Sequence, residues 1–540
     1  MEDAFLLSMT SIIEIIRDDG SSLGKYKVPP GGKPVSEVLD SIFMKHGLVG
    51  ALVEDASIDL TKSDLLTAGH TYTFQPENLA KALSDPPAIM RRYKEQAPSS
   101  FDLHTVRRVQ NHVDGPLFRC DRSHLGTLPG PLLHPIFGEF EDNLQNSTLL
   151  TREDHSFVKE LCDTSIEFFK PESARQTEVF EVLGVYLKRR INQGAKIEDG
   201  SIMPCDGCIR GNSPFPIYAI FEVENELAST STLKDFQGLA YYSRFCIEGK
   251  ESTAFLFSTC PAFLIELRGP HIRVTAMTYQ DQVTASFLTC VENIVHSNSM
   301  RLASVFKALK LGLDSLETFY DSIQGKAEGS KPLPFLDKFA PYSLWLNPNY
   351  KFKNSIGNKQ LVFLAEDANK REVVIKFCRR YGDRVHRAWY DMGYAPELLE
   401  FQRLAGGFYL VAMEFLGDPW KTFFLLDDQE KTECRSVVLD ALKKVHGLSV
   451  FGPENAGSVH GDAREWNIMV RRRNGGFEVK FIDFDWAGQH GVSTYPPQMN
   501  HVQIAWPNGV SDGMPMEQRH DVDIVSNPPG PSSYSWRRHV

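Results

Sequence analysis

The 540 residues carry 58 Lys and Arg against 69 Asp and Glu, a formal net charge of −11, and 42% are hydrophobic with 11% aromatic. That balance supports a sizeable core in roughly two to four domains and excludes a uniformly basic nucleic-acid binder. The nine scattered cysteines suggest a reducing compartment without a disulfide framework, and no apolar run reaches the length of about eighteen residues that a membrane span needs.

The start, Met1-Glu2-Asp3-Ala4-Phe5-Leu6-Leu7, lacks a basic lead, so a standard secretory signal is not expected. Ser11 to Arg17 reads as a strand, Asp18-Asp19-Gly20 as its turn and Lys25 to Val28 as the returning partner. Pro34 opens a helix through Lys45, with Val35, Val38, Leu39, Ile42 and Phe43 on one face. Two short strands follow, ending at Gly69 to Phe74. This order over residues 8–76 predicts a ubiquitin-like β-grasp head, a docking module without a catalytic constellation.

Residues 77–130 are interrupted by Pro86-Pro87, Pro98-Ser99-Ser100 and Pro129-Gly130-Pro131 and read as a linker. A mixed α/β domain is expected over 131–322. It has a long helix at 171–192, strands at 217–224 and 253–258 with a helix at 233–246 between them, a strand at 271–280 and helices over 282–322. A Gly- and Pro-rich linker covers 323–340, a C-terminal domain 341–524 and a disordered tail 525–540.

In the middle domain, Ile217 to Glu224 ends in two acids with one residue between, so Glu222 and Glu224 share a strand face. Asp206 precedes that strand and can converge on them. Clustered carboxylate oxygens suit Mg²⁺ or Mn²⁺, which can activate water against a phosphodiester. Glu178 and Glu181 on the preceding helix are further candidate ligands. Gln237 and Tyr241 share a helix face downstream. The order helix-Glu, Asp, E-x-E, Q-x-x-x-Y resembles the PD-(D/E)xK restriction-endonuclease superfamily, with Glu224 standing where its lysine is usual. The resemblance implies catalytic roles for Asp206, Glu222, Glu224 and Gln237, and metal ligation by Asp206, Glu222 and Glu178. Cys205 and Cys208 lack a second ligand pair for zinc and a strand-to-helix redox context, and read as two buried thiols.

In the last domain, His460-Gly461-Asp462-Ala463-Arg464-Glu465-Trp466-Asn467 is an H-x-D-x-x-x-x-N loop. A turn at Asn474-Gly475-Gly476 and a strand Phe477 to Ile482 lead to Asp483-Phe484-Asp485. Val373-Val374-Ile375-Lys376 supplies a strand lysine upstream. Phosphoryl transfer needs such parts: Asp462 to orient the acceptor hydroxyl, Asn467 and Asp483 to hold Mg²⁺, and Lys376 to reach the phosphates of ATP. His460 reads as a brace, and Arg464 as a bridge to substrate, to the γ-phosphate or within the loop. Met413-Glu414-Phe415-Leu416 reads as a hinge binding adenine through its backbone. The nucleotide loop Asn354 to Asn358 has one glycine, the partner acid of Lys376 is open with Asp383 the only acid opening its helix, and Asp521 can anchor the loop from below. Arg471-Arg472-Arg473 reads as surface charge.

The whole order resembles the Crinkler-type effectors of fungi and oomycetes, in their nuclease–kinase class. His-Gly-Asp-x-Arg-x-x-Asn-Ile and Ile-Asp-Phe-Asp-Trp-Ala-Gly are similar to the fungal-type kinase family, and Leu132 to Phe140 to the lead-in of its middle domain. The expected class is therefore multidomain α+β and α/β: a β-grasp head, a restriction-endonuclease-like α/β/α middle and a compact bilobal kinase-like C-terminal domain. The resemblance implies a bifunctional metal-dependent DNA endonuclease and ATP-dependent protein kinase, secreted by an unconventional route and acting in host cells, often in the nucleus. DNA, a protein substrate and host proteins at the ubiquitin-like head are the implied partners, with no membrane. Two alternatives stand beside it: a kinase or pseudokinase whose middle domain binds DNA uncut, and a non-catalytic scaffold.

Overall fold

The computed structural model describes seven strands before residue 97. From 97 to 528 it describes all but residues 112–115, 121–127, 197–201, 204, 212–215, 228–229, 250–251, 280–281, 296–298, 325–340, 346–348, 357–360, 453–456, 474, 502–503 and 505. The expected helix beyond Pro34, the linker beyond Gln324 and the tail beyond residue 528 fall outside the described residues. The chain divides into two units, Met1–Gln360 and Leu361–Val540.

In the first unit, Ser11–Arg17 runs antiparallel to Ser22–Val28 and parallel to Thr71–Pro76. Gly50–Glu54 and Ile58–Asp59 complete this sheet of five strands. Pro34 ends the short strand Lys33–Pro34.

A second sheet has the order Gly207–Arg210, Ile217–Glu224, Ala262–Arg268, His271–Tyr279, Val283–Phe287, Arg119–Cys120. Ile217–Glu224 and Ala262–Arg268 are parallel, which demands a crossover, and helix Lys234–Glu248 lies between them in sequence. Every residue of Ile217–Glu224 is buried because helices cover both sheet faces. Ile220 and Leu264 pack with Phe236, Leu239 and Tyr241 of the crossover helix. Phe221, Phe263 and Ile265 point the other way, into Phe137, Phe140, Leu183 and Phe306. The sheet is thus layered between helices on both faces.

Local details differ from expectation. Residues 253–258 form the helix Thr253–Phe257, not a strand, because the Ser252 hydroxyl caps it by accepting from Phe255 N at 3.3 Å. The stretch 282–322 opens with strand Val283–Phe287, and its helix is Ser299–Gln324. The helix expected at 171–192 is Glu172–Leu187, stopped by Lys188 at φ 54°. The supposed linker 77–130 includes helix Leu103–Gln110, capped by Asp102, and the core residues Phe101 and Phe118.

In the second unit, Val362–Asp367, Glu372–Cys378, Tyr409–Glu414 and Leu398–Arg403 lie antiparallel in that order. The connection from Glu372–Cys378 to Leu398–Arg403 carries helix Asp383–Asp391. Helix Asp428–His446 follows, capped by Asp427 and carrying Lys443 and Lys444 in its last turn, charges that suit its dipole. Hairpin Ile468–Arg473/Gly476–Phe481 and helix Gln518–Ser526 complete the unit. Trp389, Phe423, Leu442, Phe481 and Phe484 share its core.

Phe263 meets Phe137 at 5.4 Å and Phe140 at 5.8 Å between ring centroids. Phe263→Ala should therefore cost about 3–5 kcal/mol, read as a lower denaturation midpoint of the first unit. An unchanged midpoint would contradict this packing.

Candidate functional site

The site of the second unit is built on a buried carboxylate. Asp521 accepts from His460 N at 2.8 Å and Gly461 N at 2.9 Å, and His446 Nε2 lies 3.0 Å away. Burial alone would raise its carboxyl, but the hydrogen bond and charge of His446, with His460, hold it below the usual carboxylate range. Gly461 sits at φ 81°, and a Cβ there would meet Met516 Sδ at 2.7 Å, so the turn needs glycine. His460 is fully buried with Nε2 3.0 Å from Ile482 O, the expected brace.

The anchored loop then carries the polar groups. Asn467 Nδ2 donates to Asp462 O at 3.0 Å and to Asp462 Oδ2 at 2.9 Å. Ile482 N donates to Asn467 O at 2.9 Å, which draws the next residue, Asp483, beside the loop. Asp483 itself is left-handed at φ 69°. Lys376 Nζ reaches Asp483 Oδ1 at 2.5 Å and Asp485 Oδ1 at 2.7 Å. Burial would lower the Lys376 ammonium, but those carboxylates outweigh it and hold it above its ordinary value. Lys376, Asp462, Asn467 and Asp483 are thus brought together. Arg464 grips Asp462 through Nε at 2.5 Å and Nη2 at 2.8 Å, so its bridge lies within the loop.

Three details correct or narrow the expectations. Among the described residues Lys376 pairs with Asp483 and Asp485, not with Asp383. The Glu414 N–H is spent on Glu397 O at 2.9 Å, and its carboxylate pairs with Lys480 at 3.0 Å. That N–H is therefore engaged within the fold, which leaves the other backbone groups of Met413 to Leu416 as the hinge candidates. In the glycine-poor loop, residues 357 and 358 lie outside the described residues. Arg471 and Arg473 pair with Glu478, and Arg472 with Glu430 and Glu433, as surface charge.

A second acidic centre lies in the first unit. Gly238 lets the crossover helix press onto the sheet: a Cβ there would stand 2.4 Å from Leu264 Cδ1 and 3.3 Å from Glu222 Cγ. Lys234, the first residue of that helix, is buried. Its Nζ lies 3.3 Å from Asp206 Oδ2 and 3.9 Å from both Glu222 Oε2 and Glu172 Oε1. Asp206 Oδ2 also accepts from Val223 N at 2.8 Å. Both Glu222 oxygens are buried without a hydrogen-bond donor among the described residues. Burial, reinforced by the charge of Asp206, pushes the Glu222 carboxyl well above its usual range against the pull of Lys234. Its cross-strand neighbour Glu266 is instead neutralised by Arg273 and Arg268.

Asp206 and Glu222 therefore converge as expected, and Gln237 lies buried one turn after Lys234, bonded to Tyr241. Glu224 lies near enough for its charge to act on Glu172 of this cluster. Its Oε1 accepts from Thr230 N at 2.8 Å and Thr230 Oγ1 at 3.0 Å, tying down the following loop. Glu178 and Glu181 are exposed, and Glu172 is the acid that their helix contributes. Among the described residues no three His, Cys, Asp or Glu side chains stand close enough to hold a metal ion by themselves. Lys234 and Glu172 were missed in the sequence. Lys234 did leave a signal: a lysine opening a helix opposes the dipole and needs acids nearby. Cys205 and Cys208 are buried free thiols, as read.

No protein-family profile and no curated protein matches the chain. Among solved structures it is similar to the kinase of the Cydia pomonella granulovirus, at 16% identity and a TM-score of 0.26, over 33% of this chain and 65% of that one. It is also similar to vaccinia related kinase 3, at 14% identity and a TM-score of 0.23, over 32% of this chain and 60% of that one. The chain spans less than two thirds of either.

Asp521→Ala should cost about 3–5 kcal/mol, because it strips the acceptor from buried donors. The native carboxyl lies below its unfolded value of about 3.9, so its stabilisation is complete above that pH and is lost on acidification. Asp521→Asn should flatten that acid limb in a pH series of melts. An identical acid limb in the variant would contradict the anchor.

Proposed function

We propose that the second unit is an ATP-dependent phosphotransferase acting on a hydroxyl of a protein acceptor. The observation that supports this is the convergence of Lys376, Asp462, Asn467 and Asp483 on one anchored loop. Asp462 would orient the acceptor hydroxyl and take its proton, and Lys376 would hold the α- and β-phosphates. The donor set fits a hard cation: the Asn467 amide nitrogen is spent on Asp462, leaving its amide oxygen to join the Asp483 carboxylate. Bound there, Mg²⁺ supplies neutralisation of phosphate charge. Purified chain given ATP and Mg²⁺ should transfer the γ-phosphate to itself or to a generic protein acceptor. Asp462→Ala should lower that transfer by about a hundredfold or more. Equal transfer by the variant would overturn the reading.

A second reading concerns the first unit: a metal-dependent DNA endonuclease. The donorless, buried carboxylate of Glu222 favours it, since a cation would satisfy those oxygens. Asp206 and Glu222 would hold Mg²⁺ or Mn²⁺, which supplies Lewis-acid activation of a phosphodiester. Lys234 would fill the role of the lysine that the strand lacks at Glu224, and would hold the scissile phosphate or the attacking water. Wild type with Mn²⁺ should nick plasmid DNA, whereas Asp206→Ala and Lys234→Ala should not. Absence of nicking by wild type, or equal nicking by Asp206→Ala, removes this reading. DNA bound but uncut would leave a binding module.

For the whole chain, we propose a Crinkler-type effector in which a β-grasp head docks host proteins and the two centres act in the host nucleus. The order of the parts along the chain supports it. Nuclear accumulation of the tagged chain when expressed inside host cells tests it, and exclusion from the nucleus would contradict it.

A further inference from the structure

The lysine of a phosphotransfer site must be held at a fixed place, since its ammonium is strongly hydrated and its stem flexible. In protein kinases an acid on the helix after the lysine strand does this. Helix Asp383–Asp391 has acids only at its two ends. Its buried residues are Val385, His386 and Trp389. His386 lies flat on Phe484, with ring centroids 4.4 Å apart and planes 5° apart. Its two nitrogens meet Tyr381 Oη at 2.6 Å and Pro396 O at 2.9 Å. Burial lowers its pKa to about 4, so this face of the helix is uncharged at neutral pH. The lysine finds its second acid elsewhere: Asp485 Oδ1 stands 2.7 Å from Lys376 Nζ.

We propose that Asp485 is the positioning residue for Lys376 and does the work of the absent helix acid. This rests on the nucleotide-site reading above. Asp483 and Asp485 flank Phe484, whose side chain is fully buried against His386 and Trp389. One three-residue segment therefore supplies both the metal-ligating carboxylate and the acid that aims the lysine. Because Gly382 N donates to Phe484 O at 2.9 Å, the start of the helix is fixed to that same segment. The lysine is thereby aligned whenever the Asp483–Asp485 segment is in place, without a swing of the helix.

The test is a double-mutant cycle on the full chain, reading the dissociation constant of ATP·Mg²⁺ by calorimetry. Asp485→Asn should weaken binding about tenfold, and Asp485→Glu should restore most of it. Lys376→Met should weaken binding similarly, and adding Asp485→Asn to Lys376→Met should change little further, since Asp485 acts through the lysine. Binding by Asp485→Asn equal to wild type, or full additivity in the double variant, overturns the inference. The glutamate variant keeps the test decisive if the asparagine variant folds poorly: a folded Asp485→Glu chain that binds no better than Lys376→Met also overturns it. Wild type that does not bind ATP·Mg²⁺ removes the nucleotide-site reading and this inference together, a result distinct from the others.

Discussion

The buried carboxylate of Asp521 is the constraint on which the second unit depends. A charge taken wholly out of water is tolerated only when its donors are in place. Here two donors are successive backbone N–H groups, of His460 and Gly461, so satisfying the charge fixes the backbone path into Asp462. The left-handed Gly461 completes that path. From it the rest follows by short links. Asn467 ties back to Asp462, Ile482 ties to Asn467, and Asp483 and Asp485 are delivered to Lys376. The proposed phosphotransfer centre is thus assembled from one helix, one loop, one hairpin and one strand, each holding the next.

The two acidic centres answer the same electrostatic problem alike. In each, one buried lysine stands among several carboxylates: Lys376 with Asp483 and Asp485, and Lys234 with Asp206, Glu222 and Glu172. Negative charge exceeds positive in both, and a local excess of carboxylate is what recruits a hard cation. They differ in the state of the acids. Near Lys376, burial is offset by direct ion pairs. Near Lys234, Glu222 is sealed from water at 3.9 Å from the ammonium, and burial prevails in pushing its carboxyl up. In the first centre both carboxylates touch the lysine directly. In the second, Asp206 lies within hydrogen-bonding reach of the lysine and Glu222 stands farther off.

What the sequence made legible was local. The loop from His460 to Asn467, the hairpin after it, the lysine on its strand and the buried strand 217–224 all carry signals within a few residues. What was missed depended on phase or on distant partners. Glu178 and Glu172 are six residues apart, roughly 240° around a helix at about 100° per residue, so only one can face the strand. Asp485 had no role legible in the sequence because its partner Lys376 lies on another strand, over a hundred residues earlier in the chain. Residues 253–258 form a short apolar run that periodicity cannot assign, and the deciding signal was the cap at Ser252. Phe101 and Phe118, set among prolines, read as linker because burial is a tertiary fact.

The account turns on whether the anchored loop and the lysine form one nucleotide–metal site. The most direct measurement is the melting temperature of the second unit within the full chain, with ATP and Mg²⁺ together, with ATP and a chelator, and with neither. The account predicts a rise with ATP·Mg²⁺ equivalent to about 2.7 kcal/mol at a hundredfold excess over the dissociation constant, little with chelated ATP, and none in Asp483→Asn. No rise at saturating ATP·Mg²⁺, or the same rise in Asp483→Asn, would contradict it.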